Sequence, residues 1–235
     1  VSRPDPPMSG LATLLVLADG RLPAGGHAHS SGLEAAVVAG RVRDLAGVAA
    51  YLTGRLTTGG RTAAAFAAAA TASAAAAHGA TATGAAGRLD ALDDGIDART
   101  PSPALRRASR AQGRALLRAG RGIWALPAGG PRDRHQPVAL GVVAAAAGLG
   151  PADAALAAAY TAVTGPASAA VRLLGLDPYA VHGLLARLAP DIDAVAAGAA
   201  ALADRPVDDL PAGSAPIPEV DAEHHATWEV RLFAS

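Results

Sequence analysis

An all-α fold is predicted for these 235 residues, as a single-domain helical bundle of about ten helices with an extended C-terminal tail. Three observations predict it. Apolar residues recur at helical spacings along most of the chain, and no stretch alternates apolar and polar residues as a half-buried strand does. The apolar stretches are bounded by Ser, Asp, Pro and Gly where helices begin and end. Hydrophobic residues make up 51% of the chain and aromatic ones only 3%, so alanine dominates. Alanine is the strongest helix former and a small core filler. The helices must therefore pack closely through small residues or bury faces against a partner.

Residues 1–8 are Pro-rich and read as a flexible N-terminal segment, and the helical domain is expected over 9–205. Ser9 is placed to cap a first helix from Gly10 to Asp19. A shaped loop follows, Leu22-Pro23-Ala24-Gly25-Gly26-His27-Ala28-His29-Ser30-Ser31-Gly32-Leu33-Glu34. Pro23 fixes φ, and Gly25-Gly26 open backbone angles closed to other residues. Ser30 or Ser31 can cap the helix that runs to Ala39, with Glu34 placed to complete a capping box with Ser31. Asp44 caps a helix through Tyr51 and Leu56, which Gly59-Gly60 is expected to break. An Ala-rich helix from Thr62 to His78, a break over Gly79–Gly87 and a short acidic helix from Leu89 to Ala98 come next.

Ser102 with Pro103 starts a long basic helix reaching Trp124, whose Arg107, Arg110, Arg114, Arg118 and Arg121 share one side. Arg106 adds to the basic set, and most of these arginines are expected to form a solvated face paired with the acidic stretch Asp90–Asp97. After a Gly- and Pro-rich loop from Pro127 to Pro137, helices are expected from Val138 to Leu149, from Pro151 to Thr164, from Pro166, from Asp177-Pro178, and from Asp191 or Asp193 through Leu202. Residues 206–235 read as a Pro-rich linker and a tail in which Trp228, Leu232 and Phe233 concentrate scarce aromatic and apolar mass. The tail can dock on its own bundle or on another subunit, and a partner-binding tail, ordered by another subunit, is the expectation.

Composition narrows the function. The formal net charge is zero and stacking aromatics are scarce, which speaks against nucleic acid as a partner. All non-His basic residues are Arg, a pattern that GC-rich coding explains. With no Cys, disulfides, thiolate metal sites and cysteine nucleophiles are excluded. The longest apolar tract, Ala63–Ala77, is mostly alanine and unsuited to span a membrane. The first residues lack the basic-then-apolar order of a secretion signal, so a cytoplasmic location is expected. Thr57-Thr58-Gly59-Gly60-Arg61-Thr62 has the glycine spacing of a phosphate loop, but Gly60 stands where the lysine belongs and no strand precedes it.

The opening loop resembles the Leu-Pro-x-Gly-Gly-Phe-Ser-Tyr-Ser-x-Gly-Leu-Glu segment of the UreF family of urease accessory proteins. Leu22, Pro23, Gly25, Gly26, Ser30, Gly32, Leu33 and Glu34 match, while His27, Ala28 and His29 replace Phe-Ser-Tyr. Further matches follow in order. Arg106, Ser109, Gln112, Gly113, Arg114, Leu116 and Leu117 resemble the family's central helix. His135, Pro137, Val138, Ala139 and Gly141 resemble a later helix start. Ala169 to Leu173 and Leu176 resemble an Ala-Ala-Val-Arg-Leu segment, although Gly175, Asp177 and Pro178 depart from it. The end resembles the family's C-terminus at His225, Arg231, Leu232, Phe233 and Ser235, but not at Ala226, Glu229 and Ala234. The resemblance implies a homodimerising urease maturation factor, without cofactor, that bridges UreD (also called UreH) and the GTPase UreG during nickel delivery to the urease apoprotein. It implies partner contact through Gly25, Gly26, His27, His29, Ser30, Glu34, Arg172, His225, Trp228, Arg231, Leu232 and Phe233.

Other chemistries are weighed against this. His27-x-His29 and His224-His225, with Glu223 adjacent, offer transition-metal ligand types but too few ligands for a site on their own. His78, His135 and His182 are isolated and suit capping or packing. Ser30, His29 and Glu34 supply the residue types of a hydrolase, yet Ser30 and His29 are sequence neighbours and nothing imposes triad geometry. A helical regulatory or sensor protein would explain the alanine-rich bundle but not the ordered set of motif matches.

Overall fold

The computed structural model describes residues 10–76, 82–124, 126, 133–213 and 215–234. Ser9, the segment 1–8, His78, the start of the Gly79–Gly87 break, most of the Pro127–Pro137 loop and Ser235 lie outside the described residues. The fold is all-α. Its helices are α1 (Gly10–Ala18), α2 (Leu33–Val38), α3 (Leu45–Arg55), α4 (Arg61–Ala76), α5 (Ala82–Arg99), α6 (Pro103–Ile123), α7 (Gln136–Ala146), α8 (Pro151–Leu174), α9 (Pro178–Ala200) and α10 (Pro216–Ala226). No strand occurs among the described residues.

Helix α4 is the axis of the bundle. Ala64, Ala65, Phe66 and Ala67 to Ala70 have no solvent exposure, and α5, α7, α8 and α9 surround them. Small residues let the backbones approach. A Cβ added at Gly141 of α7 would lie 2.5 Å from both the Ala67 carbonyl oxygen and the Ala70 Cβ. Dispersion between closely apposed backbones thus compensates for the missing large side chains. By length and composition α8 could span a membrane, but here it packs into the core against α1, α4 and α9.

Several expected boundaries are corrected. Gly59-Gly60 does not end a helix, because the π-helical turn Leu56–Gly60 carries α3 directly into α4. Gly84 and Gly87 lie inside α5. Asp191 and Asp193 lie inside α9, which continues through Pro190. Pro166 likewise does not start a helix but sits buried within α8. Lacking an N–H, it leaves the Ala162 carbonyl without its usual donor one turn on. The Arg55 Nε donates to that carbonyl at 3.1 Å, so α3 completes the hydrogen bonding of α8. Burial lowers the Arg55 pKa from its ordinary value.

The expected linker is also structured. Arg99 of α5 stacks 5.2 Å from the Phe66 ring centroid and donates to the carbonyls of Val207 (2.9 Å), Leu210 (3.2 Å) and Pro211 (3.1 Å). Leu210 is buried beside it. Pro216 and Pro218 occupy the first turn of α10, where a missing N–H costs nothing.

The junction of α5, α6 and α7 explains the central motif. Arg110 donates to Asp93 (2.8 Å) and Asp97 (2.5 Å), and Arg106 lies 3.7 Å from Asp97. These two arginines pair with the acidic stretch, but most of the basic face does not: Arg114 pairs with Asp133, and among the described residues Arg107 and Arg118 form no ion pair with that stretch. Ser109 Oγ accepts the Gln136 N–H at 3.1 Å. At Gly113 a Cβ would fall 1.9 Å from the Arg134 carbonyl oxygen, so only glycine fits. His135 is fully buried. Its N–H reaches Asp93 at 2.8 Å and its Nε2 reaches Asp97 at 3.0 Å, while Nδ1 has no partner among the described residues. Burial, reinforced by the Arg110 charge, lowers the His135 pKa despite Asp97 and Asp93.

Two outcomes follow. Arg55→Met should cost about 1–3 kcal/mol by orphaning the Ala162 carbonyl. Adding Pro166→Ala restores the backbone donor, so urea denaturation of the double variant should recover part of that loss. At His135 the unfolded chain binds a proton near the ordinary imidazole pKa that the folded chain resists. Its contribution to stability is therefore full above that value and lost as pH falls toward the folded pKa. Between about pH 7.5 and about pH 5.5, the urea midpoint should fall more for the wild type than for His135→Gln.

Candidate functional site

The opening loop is shaped at different residues from those expected. Gly25 (φ +76°) and Gly32 (φ +88°) are left-handed, as is Ser31 (φ 58°). Gly26 lies in the 3-10 turn Gly26–Ala28 and has no positive φ. The strain expected of a side chain at Gly26 therefore belongs at Gly25 and Gly32. Tyr51 Oη donates to the Ser31 carbonyl at 2.7 Å and would stand 3.0 Å from a Cβ at Gly32.

The capping box is absent. Gly32 is the N-cap of α2, with no side-chain cap bond, and the Ser30 hydroxyl accepts the Glu34 N–H at 3.2 Å. The Glu34 side chain, 4% exposed, serves the far end of the chain instead. Its carboxylate accepts from His225 Nε2 at 2.8 Å, the Leu232 N–H at 2.8 Å and the Phe233 N–H at 3.1 Å. Residues nearly two hundred positions apart thus meet at one buried acceptor, and the Ala234 N–H closes the contact on the Ala28 carbonyl at 2.7 Å. Phe233 is buried in the main core, with the Arg172 guanidinium 4.4 Å from its ring centroid.

Helix α10 is fixed by carboxylates at the start of α6. Glu219 accepts the Ser102 N–H at 2.8 Å. Glu223 accepts the Ala104 N–H at 2.7 Å and the Ser102 hydroxyl, which hold its pKa below the usual carboxylate range. The pair places negative charge against unsatisfied donors at the positive end of a long helix. Arg41 pairs with Asp221 on the same helix. This i, i+4 spacing of Glu219 and Glu223 was a readable helical pattern, but its target was not.

The expected site residues therefore divide. Ser30, Glu34, His225 and Phe233 are buried and bonded internally. Arg231, Leu232 and Val230 are exposed, Trp228 is half-buried against His225 at 4.8 Å between ring centroids, and His29 is half-buried. The Glu223, His224 and His225 grouping considered for a metal is dispersed, since Glu223 caps α6 and His225 serves Glu34. Among the described residues no group of three or more His, Cys, Asp or Glu side chains gathers as a metal site. Ser30 has no exposure, so a substrate has no route to its hydroxyl. A groove of about 1240 Å³ between α1, the opening loop, α8 and α9 was not foreseen; Leu11 and Leu15 of α1 stand exposed along it.

Glu34→Gln should keep the shape but turn an amide N–H₂ toward donors that need an acceptor. A destabilisation of about 1–3 kcal/mol, together with faster limited proteolysis after α10, is the expected outcome in thermal melts and digestion time courses.

A profile of the family described as UreF matches residues 42–189. The urease accessory protein UreF of Mycobacterium sp. (strain JLS) is 48% identical over 236 residues, covering 97% of this chain and 100% of the relative. That of Mycolicibacterium vanbaalenii is 47% identical over 230 residues with the same coverage, and that of Mycobacterium tuberculosis H37Rv is 42% identical over 210 residues, covering 86% of this chain and 93% of the relative. With matches at this level over nearly the whole length, the chain belongs to the UreF family of urease accessory proteins.

Proposed function

We propose that this chain acts in urease maturation as a non-catalytic, cytoplasmic scaffold. In this reading it bridges UreD (UreH) and the GTPase UreG so that nickel, the cargo, reaches the urease apoprotein. Family membership supports the process. The observation that carries the scaffold reading is the Glu34-anchored C-terminus, which holds one face of the tail down and leaves Val230, Arg231 and Leu232 outward, Val230 and Leu232 being 87% and 72% exposed. Exposed apolar side chains on a fixed backbone suit recognition by another protein.

The expectation of a tail ordered by a partner is thereby modified, because the chain's own Glu34 and core hold its inner side. Phe233 and the backbone amides of Leu232 and Phe233 dock on the chain itself, while Trp228, Val230, Arg231 and Leu232 are offered to UreD. The buried members of the site, Ser30, Glu34, His225 and Phe233, act by shaping the surface. Gly25, Gly26, His27 and His29 present the neighbouring loop to the GTPase. Homodimerisation is assigned to the apolar α1 face with Leu11 and Leu15, which ultracentrifugation of Leu11→Arg tests by its monomer content.

Leu232→Asp separates surface from scaffold. It should leave the melting temperature unchanged, weaken binding to UreD by about tenfold or more and impair urease activation in cells expressing the urease operon. Wild-type affinity for UreD in this variant would remove UreD from the tail. A wild-type chain that bound neither UreD nor UreG would overturn the scaffold reading.

A further inference from the structure

A second cavity, of about 300 Å³, opens between α6, α10 and the C-terminal end of the tail. Its floor is made of alanine methyls, Ala104, Ala108 and Ala111 on one face of α6 and Ala222 and Ala226 on the facing side of α10. Its polar lining consists of Arg107, Arg231, His29 and His225. Both arginines are exposed, and among the described residues neither has a carboxylate within ion-pair distance. The two nearby acids are committed elsewhere, Glu34 to His225 and the tail amides and Glu223 to the start of α6. Two guanidiniums therefore line a small hollow with an apolar floor; the charge of Arg107 acts on Glu223, but neither guanidinium is in ion-pair contact with a carboxylate among the described residues.

We propose that this cavity is a receptor slot for an acidic side chain, a carboxylate on an aliphatic stem, presented by a protein partner of the maturation complex. The methyl floor fits the stem, and the guanidinium planes give the directional, charge-assisted hydrogen bonds that carboxylates favour. The rim is built from distant segments. Arg107 comes from α6, His29 from the opening loop and Arg231 from the tail that Glu34 holds in place. The slot exists only when the tail is docked, so the anchor and the binding of an acidic partner are one device. This inference rests on the scaffold reading and specifies the chemistry of one of its contacts.

The test uses the full-length chain with Arg107→Glu, Arg231→Glu and the neutral Arg107→Gln, measured against purified UreD and purified UreG by biolayer interferometry at low and high salt. The expected result is a loss of about tenfold or more for one of the two partners with either charge reversal. The loss should be smaller for Arg107→Gln, and the salt dependence of that complex should flatten in the variants. Melting temperatures should be unchanged for Arg231→Glu and Arg107→Gln, because neither guanidinium forms an ion pair among the described residues, while Arg107→Glu, which reverses a charge acting on Glu223, is read against Arg107→Gln. Calorimetry with free glutamate as probe distinguishes the sources of the carboxylate. Glutamate binding that Arg107→Glu abolishes, while both protein complexes keep wild-type affinity, assigns the slot to a small carboxylate and overturns the proposal. Wild-type affinity for both partners in both reversals, without glutamate binding, also overturns it and leaves the scaffold reading standing. Failure of the wild type to bind either partner overturns both.

Discussion

The Glu34 carboxylate is the interaction on which the rest of this site depends. One buried, ionisable group receives an imidazole N–H and two backbone N–H groups, and so joins the opening loop, α10 and the tail. A buried carboxylate is costly unless its lone pairs are filled. The converse also holds: Leu232 and Phe233, whose amides lie at the edge of the core, need an acceptor where water is excluded. Each requirement meets the other. The left-handed residues Gly25, Ser31 and Gly32 matter because they turn the chain so that α2 begins with Glu34 facing inward.

Around this contact the fold compensates for its lack of bulky side chains in two ways. In the core, alanine and glycine on α4, α7 and α8 bring backbones together. At the periphery, arginines act as straps, Arg99 across the segment after α9, Arg88 from Ser73 to the carbonyls of Ala203 and Arg205, and Arg55 across the Pro166 irregularity. A guanidinium offers five donors in a fixed plane, which suits carbonyls left unpaired where helices end or are interrupted. The arginine content that reads as coding bias is thus used structurally at these places.

The sequence made the helical content, most helix starts and the motif residues legible, because caps and apolar spacing are local signals. Asp44, Ser102 and Asp177 each accept the N–H bonds expected of them. Misreadings came where tertiary contacts override local preference. Gly59-Gly60 and Pro166 look like breaks, yet Arg55 and close packing against Ala162 carry the helices through. Glu34 looked like a capping residue because its true partners lie at the opposite end of the chain, which no local pattern encodes. His225 and Phe233 were legible as important, but not as the inner, structural half of a tail whose outer half is exposed.

The central claim is that the tail docks on its own bundle before any partner arrives. Amide hydrogen exchange of the isolated chain tests this most directly. The account predicts protected amides at Leu232 and Phe233, bonded to Glu34, beside fast exchange at Val230 and Arg231. Uniformly fast exchange from Val230 to Ala234 in the isolated chain would contradict it and make docking of the tail a consequence of partner binding.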